Sequence, residues 1–239
     1  MTLDVMVCAA HPDDAELAMG GTIARFADDG FSVGIVDLTR GEMGTRGSAE
    51  TRQKEALEAA KILKTSIREN LLIPDGDIEI SNGNIRKVVM LMRKYKPKIV
   101  FAPYFKDRHP DHISASKLIK RAMFVSGLEK IKTSEGEIAQ RAYRPAKLFY
   151  YMQTYTFEPS FIVDINNFFE TKMKAVWAYS TQFHNPESNE PETFISSPEF
   201  IDYVDARAKH YGFQISKKFG EPFYCEENIE LNLDGMFNH

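Results

Sequence analysis

The sequence predicts an α/β fold: a Rossmann-like, open, mostly parallel sheet with helices on both faces, plus a smaller C-terminal extension of strands and a helix. Three features carry this reading. Short apolar runs alternate with longer amphipathic segments through residue 125, the signature of strand–helix–strand units. Glycine, proline and small polar residues punctuate each change of period. Beyond residue 146 the alternation gives way to two strand-like runs set close together. The 239 residues are read as one domain, 1–239, in which 1–125 form the core and 146–239 an extension covering the site.

The elements follow in order. "LDVMVCAA" (3–10) is an apolar run suited to a buried strand. Gly20 and Gly21 open the next segment, a helix with Ile23, Phe26 and Ala27 on one face, which Gly30 closes. The glycine pair serves close helix–sheet packing or the approach of a phosphate. "FSVGIVDLT" (31–39) reads as a second strand and "GEMGTRGS" (41–48) as a glycine-rich loop without the lysine and spacing of a P-loop. Ser48, or else Thr51, caps a helix over 49–63 whose core face is Ala56, Leu57, Ala60 and Leu63. "ENLLIP" (69–74) is a third strand, followed by a helix from about Ile85 to Tyr95 that Pro97 stops. "KIVFAP" (98–103) is a fourth strand, and a helix runs from about Asp111 to Val125. The extension holds strands at 146–153 and 160–165, a helix over 168–180, a long polar loop at 182–198 and a helix over about Pro198–Tyr211. The tail 220–239 is acidic and either strand-like or loosely held.

Composition bounds the function. The chain is 43% hydrophobic and 27% charged with a formal charge of −4, a balance that predicts no electrostatic hold on nucleic acid. No apolar run reaches the ~18 residues of a membrane span, and residues 1–10 lack the positive start of a signal peptide. The expected setting is cytoplasmic, with Cys8 and Cys225 as free thiols.

Two polar loops carry the chemistry. "HPDD" (11–14) follows the first strand and "HPDH" (109–112) follows the fourth, so both reach the carboxyl edge of the sheet, where open α/β folds bind ligands. His11, Asp14 and His112 make a two-histidine, one-carboxylate set suited to zinc with open positions, and equally to ferrous iron. Asp13 is left over as a general base beside the metal site. His109 is left over as an imidazolium donor to an oxyanion, with Asp111 to hold it and raise its pKa. His184 in the long loop reaches the pocket mouth or stands in solvent; Arg46 and Arg108 hold an acidic substituent or are surface cations. His210 and Trp177 are read as packing or surface residues.

"AHPDDAELAMGGTI", "TRGEMGTRG", "TRQKEALEAAKIL" and "HPDH" together resemble the LmbE-like (PIG-L) superfamily of metal-dependent N-acetylglucosaminyl deacetylases. Within it, "GTRG" and the "PDG" of 74–76 are most similar to the bacillithiol-biosynthesis deacetylases. The resemblance implies zinc on His11, Asp14 and His112, with iron or another divalent ion admissible. It also implies Asp13 as base, and His109 supported by Asp111 at the oxyanion. It places Arg52 on sugar hydroxyls, where the residues alone would also allow an exposed cation paired with Glu55 or Glu58. Glu42, Met43 and Gln182 match positions at the sugar pocket. Some relatives carry a tyrosine two residues before the second histidine motif; here Asp107 stands there, and Tyr104 or Tyr155 are candidates to replace it.

The function the resemblance implies is removal of an acetyl group from a small N-acetylated amino sugar, with N-acetylglucosaminyl-malate as the substrate. Other N-acetylated sugars or amides, a non-haem iron oxygenase and a non-enzymatic sugar-binding protein are the alternatives. Relatives often form homo-oligomers, so self-association is admitted.

Overall fold

The computed structural model describes residues 1–184 and 189–230. The core runs β1 (Val5–Ala9), α1 (Asp14–Asp28), β2 (Val33–Asp37), α2 (Ala49–Ile62), β3 (Ile67–Asn70), α3 (Asn82–Tyr95), β4 (Ile99–Pro103) and α4 (Pro110–Ser126). A hairpin follows, β5 (Thr133–Glu135) and β6 (Ile138–Gln140), and then β7 (Lys147–Tyr151), β8 (Phe161–Asp164), α5 (Phe169–Trp177), α6 (Pro198–Gln214) and β9 (Gly220–Tyr224).

Seven of these strands form one sheet in the order β3-β2-β1-β4-β7-β9-β8. The pairs β1–β2, β2–β3, β1–β4 and β4–β7 are parallel; β9 lies antiparallel between β7 and β8. Both faces are covered, so alternate residues of one strand feed different cores. Val5, Val7 and Ala9 pack with α1, α2 and α5, while Met6 and Cys8 pack with α3 and α4. The mixed, mostly parallel sheet with flanking helices is the α/β architecture read from the sequence. Cys8 and Cys225 are both buried free thiols, and among the described residues no helix is long and apolar enough to cross a membrane.

Three local readings need correction. First, α1 begins at Asp14 and its glycine pair lies inside it, just past a break at Met19 (φ −143°). The break leaves Gly21 and Thr22 amides to an outside acceptor, the Glu221 carboxylate of β9, at 3.1 and 2.7 Å. A Cβ on Gly21 would stand 2.8 Å from Ile165, so the pair serves close packing against the β8–α5 segment. Second, β3 begins two residues before 69–74 and ends at Asn70. Its charges hid it: Arg68 turns inward to pair with Asp37 (2.7 Å) and Glu16 (2.5 Å). Third, Leu57 of α2 is 48% exposed, because the helix turns Arg52, Glu55, Ala56, Ala59 and Ala60 inward toward the site and α5. Of the two readings of the tail, the strand-like one holds for β9, which sits inside the sheet; residues 231–239 lie outside the described residues. Ser48 caps α2 with its side chain accepting from Thr51 N, and Thr51 bonds back to Ser48 N, so the two candidate caps share one box.

Glu221 also pairs with Lys172 of α5 at 2.6 Å, both side chains 2% exposed. This buried ion pair staples α1, α5 and β9 together. Removing one partner leaves a buried charge without its counter-ion, which costs about 3–5 kcal/mol. Lys172→Ala is therefore expected to lose stability of that order in urea unfolding; a loss below about 1 kcal/mol would show that the pair is not what holds the extension.

Candidate active site

Loops leaving the carboxyl ends of β3, β2, β1, β4 and β7 gather over one edge of the sheet, around a cavity of about 460 Å³. His11, Asp13 and Asp14 come from the turn after β1, Asp75 and Gly76 from the turn after β3, and His109 and His112 from the start of α4. Parallel order makes this convergence unavoidable. Strands that point the same way deliver their loops to the same edge.

The donor atoms of His11, Asp14 and His112 lie within 4.8 Å of one another, and all three residues are buried. His112 Nε2 is 3.2 Å from Asp14 Oδ1, and His11 Nδ1 is 3.6 Å from Asp14 Oδ2. Two ligands each ~2.1 Å from one tetrahedral ion stand roughly 3.4 Å apart, so these spacings suit a shared cation. The far nitrogen of each ring meets carboxylate: His112 Nδ1 on Asp107 Oδ1 (2.9 Å), His11 Nε2 on Asp75 Oδ1 (3.0 Å) and Asp111 Oδ2 (3.2 Å). A carboxylate behind a ligating imidazole fixes its tautomer and raises its basicity. The donor set and its supports thus fit a divalent ion. A second grouping, His11, His109 and Asp111, meets the same distance test. Its Asp111 carboxylate is already engaged by His11 Nε2 and by Gly76 N (2.9 Å).

The electrostatics agree. Burial opposes charge on His11, but Asp111, Asp14 and Asp75 outweigh it and hold its pKa well above the usual value. Burial likewise works against His112, yet Asp14 and Asp107 carry it up to about 9. Burial would raise Asp14, but His112 and His11 hold it well below the carboxylate range. Asp107 is held down to about 2 in spite of burial, by His112 and the amides of His109 and Thr154. Excess negative charge here favours any cation, a proton or a metal.

Asp13 differs from its neighbour. Its carboxylate lines the cavity and has no hydrogen-bond partner among the described residues. Burial pushes its pKa up to about 7, against the pull of Arg52, whose Nη2 is 3.9 Å from Oδ2. Its backbone sits at φ +111°, a conformation costly outside glycine and most often retained at functional sites.

His109 and Asp111 do not form the expected pair. Asp111 turns its carboxylate to His11, and it is the Asp111 amide that donates to His109 Nδ1 (3.2 Å). That bond needs an unprotonated Nδ1, so the ring is neutral with its hydrogen on Nε2. Burial and the neighbouring His11 and His112 also lower its pKa. The ring can donate a hydrogen bond, but as imidazole rather than imidazolium.

The remaining candidates divide. Arg52 is 7% exposed and lines the cavity, donating to Gly41 O (3.3 Å) and to Gln182 Oε1; it is not a surface cation on Glu55 or Glu58. Glu55 instead takes Ser180 and Thr181. Gln182 lines the cavity too, its amide on Arg46 O (2.8 Å). Met43 lines the cavity edge at 74% exposure. Glu42 does not line it: its carboxylate turns back to cap the amides of Arg40 and Asp75. His184 is exposed and does not line it either, and the next residues, 185–188 of the loop read as a cover, lie outside the described ones. Tyr104 is buried in an aromatic cluster with Phe105 and Phe157, and Tyr155 is 53% exposed off the cavity wall, so neither replaces the missing tyrosine. Asp107 fills that place with a different task, orienting His112. Asp75 and Asp107 are the supports that sequence reasoning missed; "PDG" and "DRHPDH" held them in plain view, but nothing local says which imidazole each will meet.

Comparisons place this geometry among known proteins. Residues 6–123 match the family model described as PIG-L: GlcNAc-PI de-N-acetylase. The chain is 30% identical to the diacetylchitobiose deacetylase of Thermococcus kodakarensis over 96% of its own length and 85% of the relative's. Among solved structures it is similar to the conserved protein TT1542 of Thermus thermophilus (TM-score 0.86, 37% identity, covering 97% of this chain and 98% of that one). It is also similar to the N,N'-diacetylchitobiose deacetylase of Pyrococcus horikoshii, solved with its inhibitor MPG (TM-score 0.75, 27% identity, covering 92% and 83%). With matching fold, full-length similarity and both histidine motifs inside the matched segment, the chain belongs to the PIG-L, or LmbE-like, deacetylase family.

Proposed function

We propose that this protein is a metal-dependent hydrolase that removes the acetyl group from an N-acetylated amino sugar. The observation that carries the reading is a division of labour between adjacent carboxylates. Asp14 is locked between two imidazoles, while Asp13 faces the cavity without a hydrogen-bond partner among the described residues. An oxygenase or a passive binding site has no task for Asp13.

A divalent ion on His11, Asp14 and His112 would polarise the acetamide carbonyl and lower the pKa of water toward ~7. Zinc is the first choice for two imidazoles and a carboxylate with open positions, and ferrous iron is admissible. Asp13 accepts a proton as water adds to the carbonyl carbon. His109 donates its Nε2 hydrogen to the oxygen where negative charge builds. Asp13 then returns the proton to the leaving nitrogen as the C–N bond breaks, giving acetate and a free amine. Arg52 balances the charge on Asp13 and, with Gln182, borders the space for the sugar.

A cavity of about 460 Å³ suits one sugar with a modest substituent. The relatives' names point to N,N'-diacetylchitobiose, and the motif resemblance points to N-acetylglucosaminyl-malate. Both belong in a panel of N-acetylated glucosaminides assayed for acetate and amine in equal amounts. At least one should turn over with metal present; turnover of none would overturn the reading.

Asp13→Asn is expected to lower kcat by about 10²–10⁴-fold with metal content unchanged. Near-normal turnover would remove Asp13 from the mechanism. Asp107→Ala should weaken metal binding by roughly 10–100-fold in chelator competition, since His112 loses its orienting carboxylate. An unchanged affinity would show that Asp107 does not serve His112.

A further inference from the structure

Three nitrogens on cavity-lining residues are buried without a hydrogen bond: Arg46 Nε, Arg52 Nε and Gln153 Nε2. The two arginines have ionic neighbours, Glu190 at 3.5 Å and Asp13 at 3.9 Å. Gln153, 7% exposed two residues past β7, has no partner for its side-chain amide nitrogen among the described residues. A buried amide donor left unpaired weakens a fold, and in native proteins it calls for an explanation such as a ligand.

Hydrogen bonds fix the backbone from which this side chain projects. Arg207 Nη1 donates to the Gln153 carbonyl, and Arg207 Nη2 to Leu17 O (2.9 Å) on α1. On the other side Thr154 N donates to Asp107 Oδ2 (2.8 Å), whose Oδ1 meets His112. Gln153 is thus tied by one residue to the histidine cluster and by one arginine to α1. It stands on the β7 side of the crevice, while Arg52 and Gln182 come from α2 and the segment after α5.

We propose that Gln153 is a substrate-binding residue whose amide hydrogen-bonds a neutral hydroxyl of the amino sugar and so fixes the acetamide against the histidine cluster. A primary amide offers both a donor and an acceptor, and a hydroxyl answers either atom whichever way the amide is turned. A carboxylate would answer only the NH2 group. This inference rests on the deacetylase reading and names a contact within it.

Gln153→Leu keeps the volume and removes the amide. Measured on the best substrate of the panel, it should lower kcat/KM about tenfold or more, mainly through KM, because a hydroxyl remote from the reacting carbon contributes binding shared by ground and transition states. Mono-deoxy analogues identify the partner: one of them should lose about tenfold with wild-type enzyme and less than about twofold with the variant. Urea unfolding gives an independent readout. The variant should be at least as stable as wild type, since it buries no unpaired amide. A destabilised or unfolded variant would mean that the amide serves the fold, and an unchanged kcat/KM that it touches no substrate; either result overturns the inference. A wild-type protein that turns over nothing would instead sink the deacetylase reading, and this contact with it.

Discussion

The Asp14 carboxylate wedged between His11 and His112 is the contact on which the rest of the site depends. Burying one carboxylate is costly, and burying Asp13, Asp14, Asp75, Asp107 and Asp111 around a few imidazoles is more so. The arrangement is tolerable when positive charge sits among them. The carboxylates raise the pKa values of His11 and His112, which favours protons there when nothing else supplies the charge. A divalent ion answers the same demand with more charge at one point. The carboxylates behind the rings then orient imidazoles instead of protonating them.

The sheet supplies the second half of the explanation. Two motifs about a hundred residues apart meet because β1 and β4 are parallel neighbours, in register from Val5↔Ile99 to Val7↔Phe101. β2 and β3 lie beyond β1 and bring the Gly41–Arg46 and Asp75 loops; β7 lies beyond β4 and brings Gln153. The extension is part of this frame, because β9 enters the sheet between β7 and β8 and sends Glu221 across to the break in α1. The helix whose first turn presents Asp14 is therefore braced, just past its break, by a residue two hundred positions away.

Much of this was legible in the sequence, and the failures have causes. The strand–helix alternation and the two histidine motifs stand out because apolar period and charged punctuation are local properties. His11, Asp13, Asp14, His109 and His112 each stand beside the cavity, where their places after the first and fourth strands put them. Partner choice is not local. Adjacency pairs Asp111 with His109, yet its carboxylate reaches His11; Asp75 stands in a loop, Asp107 where some relatives carry a tyrosine and Gln153 at the end of a strand-like run, and nothing local names their partners. Glu42 sits beside pocket-lining Met43 yet turns away to cap two amides. Arg68 disguised a strand because its charge is neutralised by Asp37 and Glu16, which only the folded chain brings to it. The hairpin at 133–140 has too few apolar residues to announce itself.

The central claim is that one divalent ion is held by His11, Asp14 and His112. X-ray absorption at the metal edge, on protein loaded with zinc and with its content measured, tests it most directly. The account predicts one ion per chain with two imidazole nitrogens and a carboxylate oxygen at about 2.0–2.2 Å, and loss of that signature in His112→Ala. Binding with unchanged imidazole scattering in that variant, or no binding by the native chain, would contradict it.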